Sequence, residues 1–257
     1  MAAPPVEPRP AATLILLRET PAQSMQVLMV KRHQDIRFAG GAVVFPGGRV
    51  DATDHALADS HKGDAFKIAA IRETFEESGI LLACHAKTGA PVCKENADRM
   101  LSQYRADVCS GKFTFGEMLD KESLIADTNK LVAFAHWITP PNRVKRFDTH
   151  FFVAGYTEDQ LAGHDGDEIT ETIWISPAEL LTAAKAGHHK LVFATRMNVE
   201  RLTAYGTVEQ ALKKIRATPF VTVRPETIDT HEGKRVRIPR EAGYGGDLFV
   251  SNDPSAI

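Results

Sequence analysis

Cysteine is scarce in this chain: Cys84, Cys93 and Cys109 are the whole complement in 257 residues. An odd count without paired metal-ligand spacing argues against a disulfide-stapled scaffold and a cysteine-held zinc ribbon, and reduced thiols are the simplest account. Charge of one sign is also lacking, since 31 Lys and Arg against 33 Asp and Glu leave a formal net charge of -2. That balance argues against a nucleic-acid partner held by a general basic field and leaves room only for a local basic patch. Long apolar runs are missing too, and no segment approaches the roughly 20 residues needed to cross a bilayer. The first eleven residues carry four prolines and no run long enough for a signal peptide. The terminal Ser255-Ala256-Ile257 does not match the S-K-L peroxisomal address. A cytoplasmic protein without a membrane partner is expected, with residues 1–11 as a disordered arm. No internal repeat is evident.

What is present suits a globular chain, with 43% hydrophobic and 25% charged residues. One domain over residues 12–257 is expected. Residues 13–17 and 27–31, on either side of a turn-like 19–24, read as a strand pair, and 42–45 as another strand. Strand character returns at 131–138, 147–154 and 170–175, and Pro177 opens a helix through about 186. His136 and Trp137 read as core or rim positions of an apolar strand. Residues 94–126 are rich in helix formers, which suggests a helical insertion at about 85–130. Helices are expected at 199–205 and 208–217, and a final hairpin of 221–223 with 235–238, in a C-terminal extension of about 188–257. Interleaved strands and helices favour an α/β sandwich.

The densest chemical signal is Arg72-Glu73-Thr74-Phe75-Glu76-Glu77-Ser78-Gly79-Ile80. At about 100° per residue, Glu73, Glu76 and Glu77 fall within a roughly 100° arc, while Ile68, Ile71 and Phe75 lie nearly opposite. One side packs and the other presents acid. Asp64 is a plausible N-cap for this helix and Gly79 its stop. A solvated acidic end is the ordinary fate of three glutamates. Here, however, small Ala69 and Ala70 flank the acidic face, and a hard divalent cation would relieve the repulsion among the carboxylates. Upstream, Phe45-Pro46-Gly47-Gly48 is a strand end entering a tight glycine turn, which could bring backbone carbonyls close to an ion or a phosphate.

Together these segments resemble the Nudix hydrolase signature, G-x5-E-x7-R-E-U-x-E-E-x-G-U with U apolar. Gly48 would open the box, and Arg72, Glu73, Glu76, Glu77, Gly79 and Ile80 match directly. Three positions depart from it. Asp54 stands where the family usually has Glu, Thr74 replaces an apolar residue, and seventeen residues rather than seven separate Asp54 from Arg72. The excess falls in the polar stretch 55–63, which reads as a surface excursion before the helix. Within the superfamily, the interrupted box after Val43-Val44-Phe45-Pro46-Gly47-Gly48, the stretch 143–152 and Thr195-Arg196-Met197-Asn198 resemble the peroxisomal coenzyme A diphosphatase branch.

The resemblance implies a Nudix-type α/β/α sandwich with a mixed sheet. It also implies metal-dependent hydrolysis of a nucleoside diphosphate linked to another moiety, with coenzyme A or acyl-coenzyme A ahead of ADP-ribose and dinucleotides. Glu73, Glu76 and Glu77, with the Gly47 carbonyl, would hold Mg2+ or Mn2+. Arg72, one turn before Glu76, would orient that carboxylate. Glu76, Glu77 and Glu168 are all open as the general base. Arg32, Arg37 and Arg146 are the candidates for binding substrate phosphate. A nucleotide-binding sensor without turnover is the other class, and a homodimer is one of the open oligomeric states.

Overall fold

The computed structural model describes residues 6–21, 24–35, 39–61, 63–157, 163, 168–231 and 233–250. The first half of the chain forms strands β1 (Arg9–Glu19), β2 (Met25–Arg32), β3 (Val43–Val44) and β4 (Gly47–Arg49), then helices α1 (Ala52–His61) and α2 (Ala65–Ser78). Next come β5 (Ala83–His85), α3 (Lys94–Cys109), α4 (Phe115–Lys121), β6 (Leu124–Ala126), β7 (Val132–Ile138) and β8 (Phe147–Gly155). The remainder holds β9 (Ile169–Ile175), α5 (Pro177–Lys185), α6 (Phe193–Leu202), α7 (Val208–Ala217) and β10 (Thr222–Val223). It ends in β11 (Glu226–Thr230), β12 (Gly233–Arg237) and β13 (Leu248–Val250).

The apolar run in β1 explains the layering. Alternation sends Leu14 and Leu16 to one face and Ile15 and Leu17 to the other, and all four are buried. A strand apolar on both faces must be covered on both. Ile68, Ile71 and Phe75 of α2, with Met100 of α3 and Met118 of α4, cover the first face. Met197 and Leu202 of α6 and Ile215 of α7 cover the second. The mixed sheet between them runs β10-β7-β8-β1-β2-β3, with β4 added to β1 and β9 to β2. This is the sandwich expected from the sequence. No helix of the described residues is long and apolar enough to cross a membrane.

A fork in the sheet positions the site. Along one edge β1 pairs in parallel with β8 from Arg9 opposite Phe147 to Leu17 opposite Gly155. Along its other edge it changes partner. Ala11 to Thr13 pair with β4, whereas Leu17 to Glu19 pair with β2. Helix α2 ends beside that fork, with its termini fixed as the sequence suggested. The Asp64 carboxylate accepts from the amides of Phe66 and Lys67, and Gly79 closes the helix at φ 76°, its N–H donating to the Phe75 carbonyl.

The structure corrects four expectations. Residues 55–63 are not a surface excursion: most belong to α1, which buries Leu57 and Ala58 against the α2 side of the core. The apolar pair is only two residues in ten, too few to show as a helical period. Residues 221–223 do not form a hairpin with 235–238. Thr222 and Val223 join the main sheet in parallel with His136 and Trp137, while β12 pairs with β11 and β13. Finally, β1 begins at Arg9, so residues 9–11 of the expected arm belong to the sheet. The helix expected at 199–205 also lies earlier, at Phe193–Leu202.

Candidate active site

Arg72 organises the acidic face of α2. Its Nε donates to Asp54 Oδ1 and its Nη2 to Asp54 Oδ2, both at 2.9 Å, in a side-on bidentate pair. Nη2 also reaches the Arg49 carbonyl at 2.9 Å. Nη1 donates to Glu73 Oε1 at 3.0 Å and to both oxygens of Glu76 at 3.1 Å. Asp54 Oδ2 accepts in addition from the Asp51 amide at 2.8 Å, across the first turn of α1. Asp54 and Arg72 are nearly sealed from solvent, at 2% and 7% exposed, so each charge depends on the other. The extra helix therefore brings the shorter carboxylate of Asp54 to the arginine.

Glu77 is held separately. Its Oε2 accepts from the Gly47 amide at 3.0 Å, and its Oε1 lies 3.9 Å from Arg32 Nη1. The glycine turn is tight here because β4 presses on both β1 and α2. A Cβ on Gly47 would lie 2.5 Å from the Ala12 carbonyl oxygen, and one on Gly48 would lie 2.5 Å from the Glu73 carboxyl carbon. The three carboxylates are consequently crowded and short of water. Burial pushes the Glu73 pKa up to about 7 against the lowering pull of Arg72, with Glu76 adding to the rise. Burial likewise raises Glu76. It raises Glu77 well above the usual range, with the Glu73 charge next in importance. Burial alone would lower the Arg72 pKa, but the Asp54 hydrogen bonds and the charges of Glu73, Glu76 and Asp54 outweigh it and drive it up.

The carboxylates open into a cavity of about 550 Å³, and the basic candidates meet it differently. Arg32 lines it and donates from Nη2 to Glu168 Oε1 at 2.7 Å, bridging Glu168 and Glu77. Its buried Nε has no hydrogen-bond partner among the described residues. Arg146 lines the cavity as well, although its guanidinium donates to the carbonyls of Thr139 and Val6. Arg37 lies outside the described residues. Sequence reasoning missed Arg9, Asp51, Thr13 and Thr149, which also line the space. The two threonines face each other's strands across the β1–β8 pairing, and a hydroxyl in an apolar strand was the available signal. A second cavity of about 180 Å³ continues from the first through Thr13, Arg32, Gly47, Phe147 and Thr149, and is walled by Phe45, Trp137 and Phe193.

The family model of the NUDT19 Nudix domain matches residues 57–202, more than half of the chain. The chain belongs to the Nudix hydrolases. Among relatives, "Putative nudix hydrolase 7" of Caenorhabditis elegans is 35% identical over 183 residues, covering 71% of this chain and 56% of that protein. The acyl-coenzyme A diphosphatase NUDT19 of Homo sapiens is 26% identical over 220 residues, covering 66% and 58%. The chain thus spans little more than half the length of these relatives. A crystal structure of a NUDIX hydrolase from Alicyclobacillus acidocaldarius superposes with a TM-score of 0.68 at 27% identity, covering 83% of this chain and 99% of that one. Because the family match begins inside α1, it includes Arg72 and the three glutamates but not Gly47, Gly48 or Asp54. Those three lie outside the matched span and meet its residues through their contacts with Glu73, Glu77 and Arg72.

Proposed function

We propose that this Nudix chain is a divalent-metal-dependent diphosphatase that hydrolyses coenzyme A or an acyl-coenzyme A to a 4'-phosphopantetheine and adenosine 3',5'-bisphosphate. The observation that carries the proposal is the Arg72 clamp. It holds Glu73 and Glu76 side by side, next to Glu77, at the mouth of a polar cavity that continues into an apolar one. The relatives named acyl-coenzyme A diphosphatase support the substrate class.

The donor set fits a hard cation. Glu73, Glu76, Glu77 and the Gly47 carbonyl are all oxygen donors, the set that suits Mg2+ or Mn2+. Carboxylates whose burial disfavours their charge gain from a cation among them. When bound, the metal would screen the diphosphate charge and acidify a water. The chain's own residues do the rest. Arg72, with its donors committed within the protein, positions carboxylates rather than touching substrate. Arg32, whose Nε has no hydrogen-bond partner among the described residues, and Arg146 would hold phosphate oxygens, and Arg37 remains a candidate for the same task. Water forms a bond to phosphorus, the bridging P–O bond breaks, and the bridging oxygen leaves with the other phosphate. Glu168 suits the role of proton acceptor because its side chain is half exposed at the cavity, whereas both oxygens of Glu76 are held by Arg72. The apolar cavity would take the pantetheine arm or its acyl chain.

A chromatographic assay of coenzyme A, acetyl-coenzyme A, 3'-dephospho-coenzyme A, ADP-ribose and NADH with Mg2+ or Mn2+ tests this. Coenzyme A species should be the best substrates, and Glu77→Gln should lower turnover at least ~100-fold with the fold intact. A preference for ADP-ribose or NADH would overturn the substrate class while leaving the hydrolase. Binding without turnover of any of them would favour a nucleotide sensor.

A further inference from the structure

Outside the carboxylate site, β7 and β8 bring together a second set of ligand-type side chains. His136 sits directly opposite His150 in the antiparallel pairing, and Asp148 lies opposite Ile138, one step along the same face. The two imidazoles stack with ring centroids 4.1 Å apart. His136 Nε2 is hydrogen-bonded to Asp148 Oδ1, and His150 Nε2 lies 4.0 Å from that same oxygen. One donor atom from each of the three residues lies within 4.8 Å of the others. We propose that His136, Asp148 and His150 form a second metal site, for a first-row transition ion such as Zn2+.

Four features favour an ion over a chance cluster. Two nitrogens and one carboxylate oxygen are a ligand set that Zn2+ and its neighbours accept and that Mg2+ does not prefer. The other ring nitrogen of His136 is engaged by Thr222 Oγ1 at 2.8 Å, which fixes the ring and directs Nε2 at the cluster. Phe66, at the start of α2, backs the His150 ring at a centroid distance of 4.4 Å, so the second imidazole is also held from behind. The side chains remain 15%, 32% and 32% exposed for His136, Asp148 and His150, which leaves an entry path and room for a fourth ligand from solvent. The position gives the site a task. An ion there would tie β7 to β8, with β10 attached through Thr222, on the face opposite Trp137 and Thr149, which line the apolar cavity. It would stiffen the strands that shape that cavity without touching the carboxylates.

The test uses the tag-free 257-residue chain dialysed against Zn2+ in about 10 mM Mg2+, so that oxygen-only ligands are occupied by magnesium, with bound zinc counted by elemental analysis. One magnesium-resistant equivalent of Zn2+ is expected. Asp148→Asn and His150→Gln should each weaken it by about 10- to 100-fold and abolish the Zn2+-induced rise in Tm. Circular dichroism confirms that each variant folds, and Co2+ substitution gives a separate optical readout of nitrogen ligation, to be lost in His150→Gln. Absence of a magnesium-resistant equivalent, or unchanged Zn2+ affinity in either variant, would overturn the site.

Discussion

Arg72 commits all three of its guanidinium nitrogens inside the protein, and that fact sets the chemistry of the carboxylates around it. With the positive charge fixed, Glu73, Glu76 and Glu77 stay close together although burial raises the pKa of each. A stability consequence follows for the metal-free protein. The folded state lifts Glu73 from its ordinary 4.5 to about 7, so it favours the protonated form. That stabilisation is fully present below about pH 4.5 and is lost as pH rises through about 7, on the order of 3 kcal/mol. A bound cation favours the opposite, charged form. The Mg2+-induced rise in Tm, measured by thermal denaturation against an EDTA control, should therefore be larger at pH 8 than at pH 5.5, and Glu73→Gln should flatten the difference. Equal increments at the two pH values would show that the carboxylates do not hold the metal. At this scale the three glutamates and Arg72 were legible because their contacts lie within one turn of a helix. The Arg32–Glu168 pair joins residues 136 positions apart, and only the fold brings them together.

Among the elements, the glycine turn of β4 was legible and the helix after it was not. Phe45-Pro46-Gly47-Gly48 announces a turn by composition alone, whereas α1 is amphipathic only through Leu57 and Ala58 and reads as a polar loop. What made α1 a helix is tertiary: Asp54 faces Arg72, and Leu57 packs beneath Gly116 of α4. The final hairpin failed for a similar reason, because Val221-Thr222-Val223 finds its partner in β7 across the sheet. The two glycines of the turn separate function from folding. A methyl at 48 would meet the far end of the Glu73 side chain, which can swing aside, whereas a methyl at 47 would meet the backbone of Ala12 and Thr13. Gly48→Ala should thus leave Tm nearly unchanged and lower kcat/KM by at least about tenfold at fixed Mg2+, with the deficit narrowing as Mg2+ is raised. Gly47→Ala should cost about 1–3 kcal/mol of stability in denaturant unfolding. If the stability loss fell instead on Gly48→Ala, the two neighbours would have been assigned the wrong way round.

For the whole molecule, the fold places a charged cavity and an apolar one side by side with shared lining residues, and the C-terminal part of the chain builds a wall of the second. Trp137 lines the apolar cavity, and its Nε1 donates to Tyr244 at 3.0 Å. The Tyr244 hydroxyl in turn donates to Asn198 Oδ1 at 2.7 Å. The rings of Trp137 and Tyr244 meet edge to face, with centroids 5.4 Å apart. This chain of bonds ties β7, α6 and the segment before β13 together, and no local pattern announces it because its members are 46 and 107 residues apart. Tyr244→Phe removes the middle link and keeps the ring, leaving the indole N–H and the Asn198 oxygen buried without that partner. The expected cost is about 1–3 kcal/mol, read from the denaturant midpoint at unchanged slope. If the apolar cavity holds the acyl chain or pantetheine arm, loosening Trp137 should raise KM several-fold for an acyl-coenzyme A and leave KM for ADP-ribose nearly unchanged, because the carboxylates and their arginine clamp stay in place. An equal rise for both substrates would mean that the cavity is a packing feature of the sheet and that the acyl arm lies elsewhere.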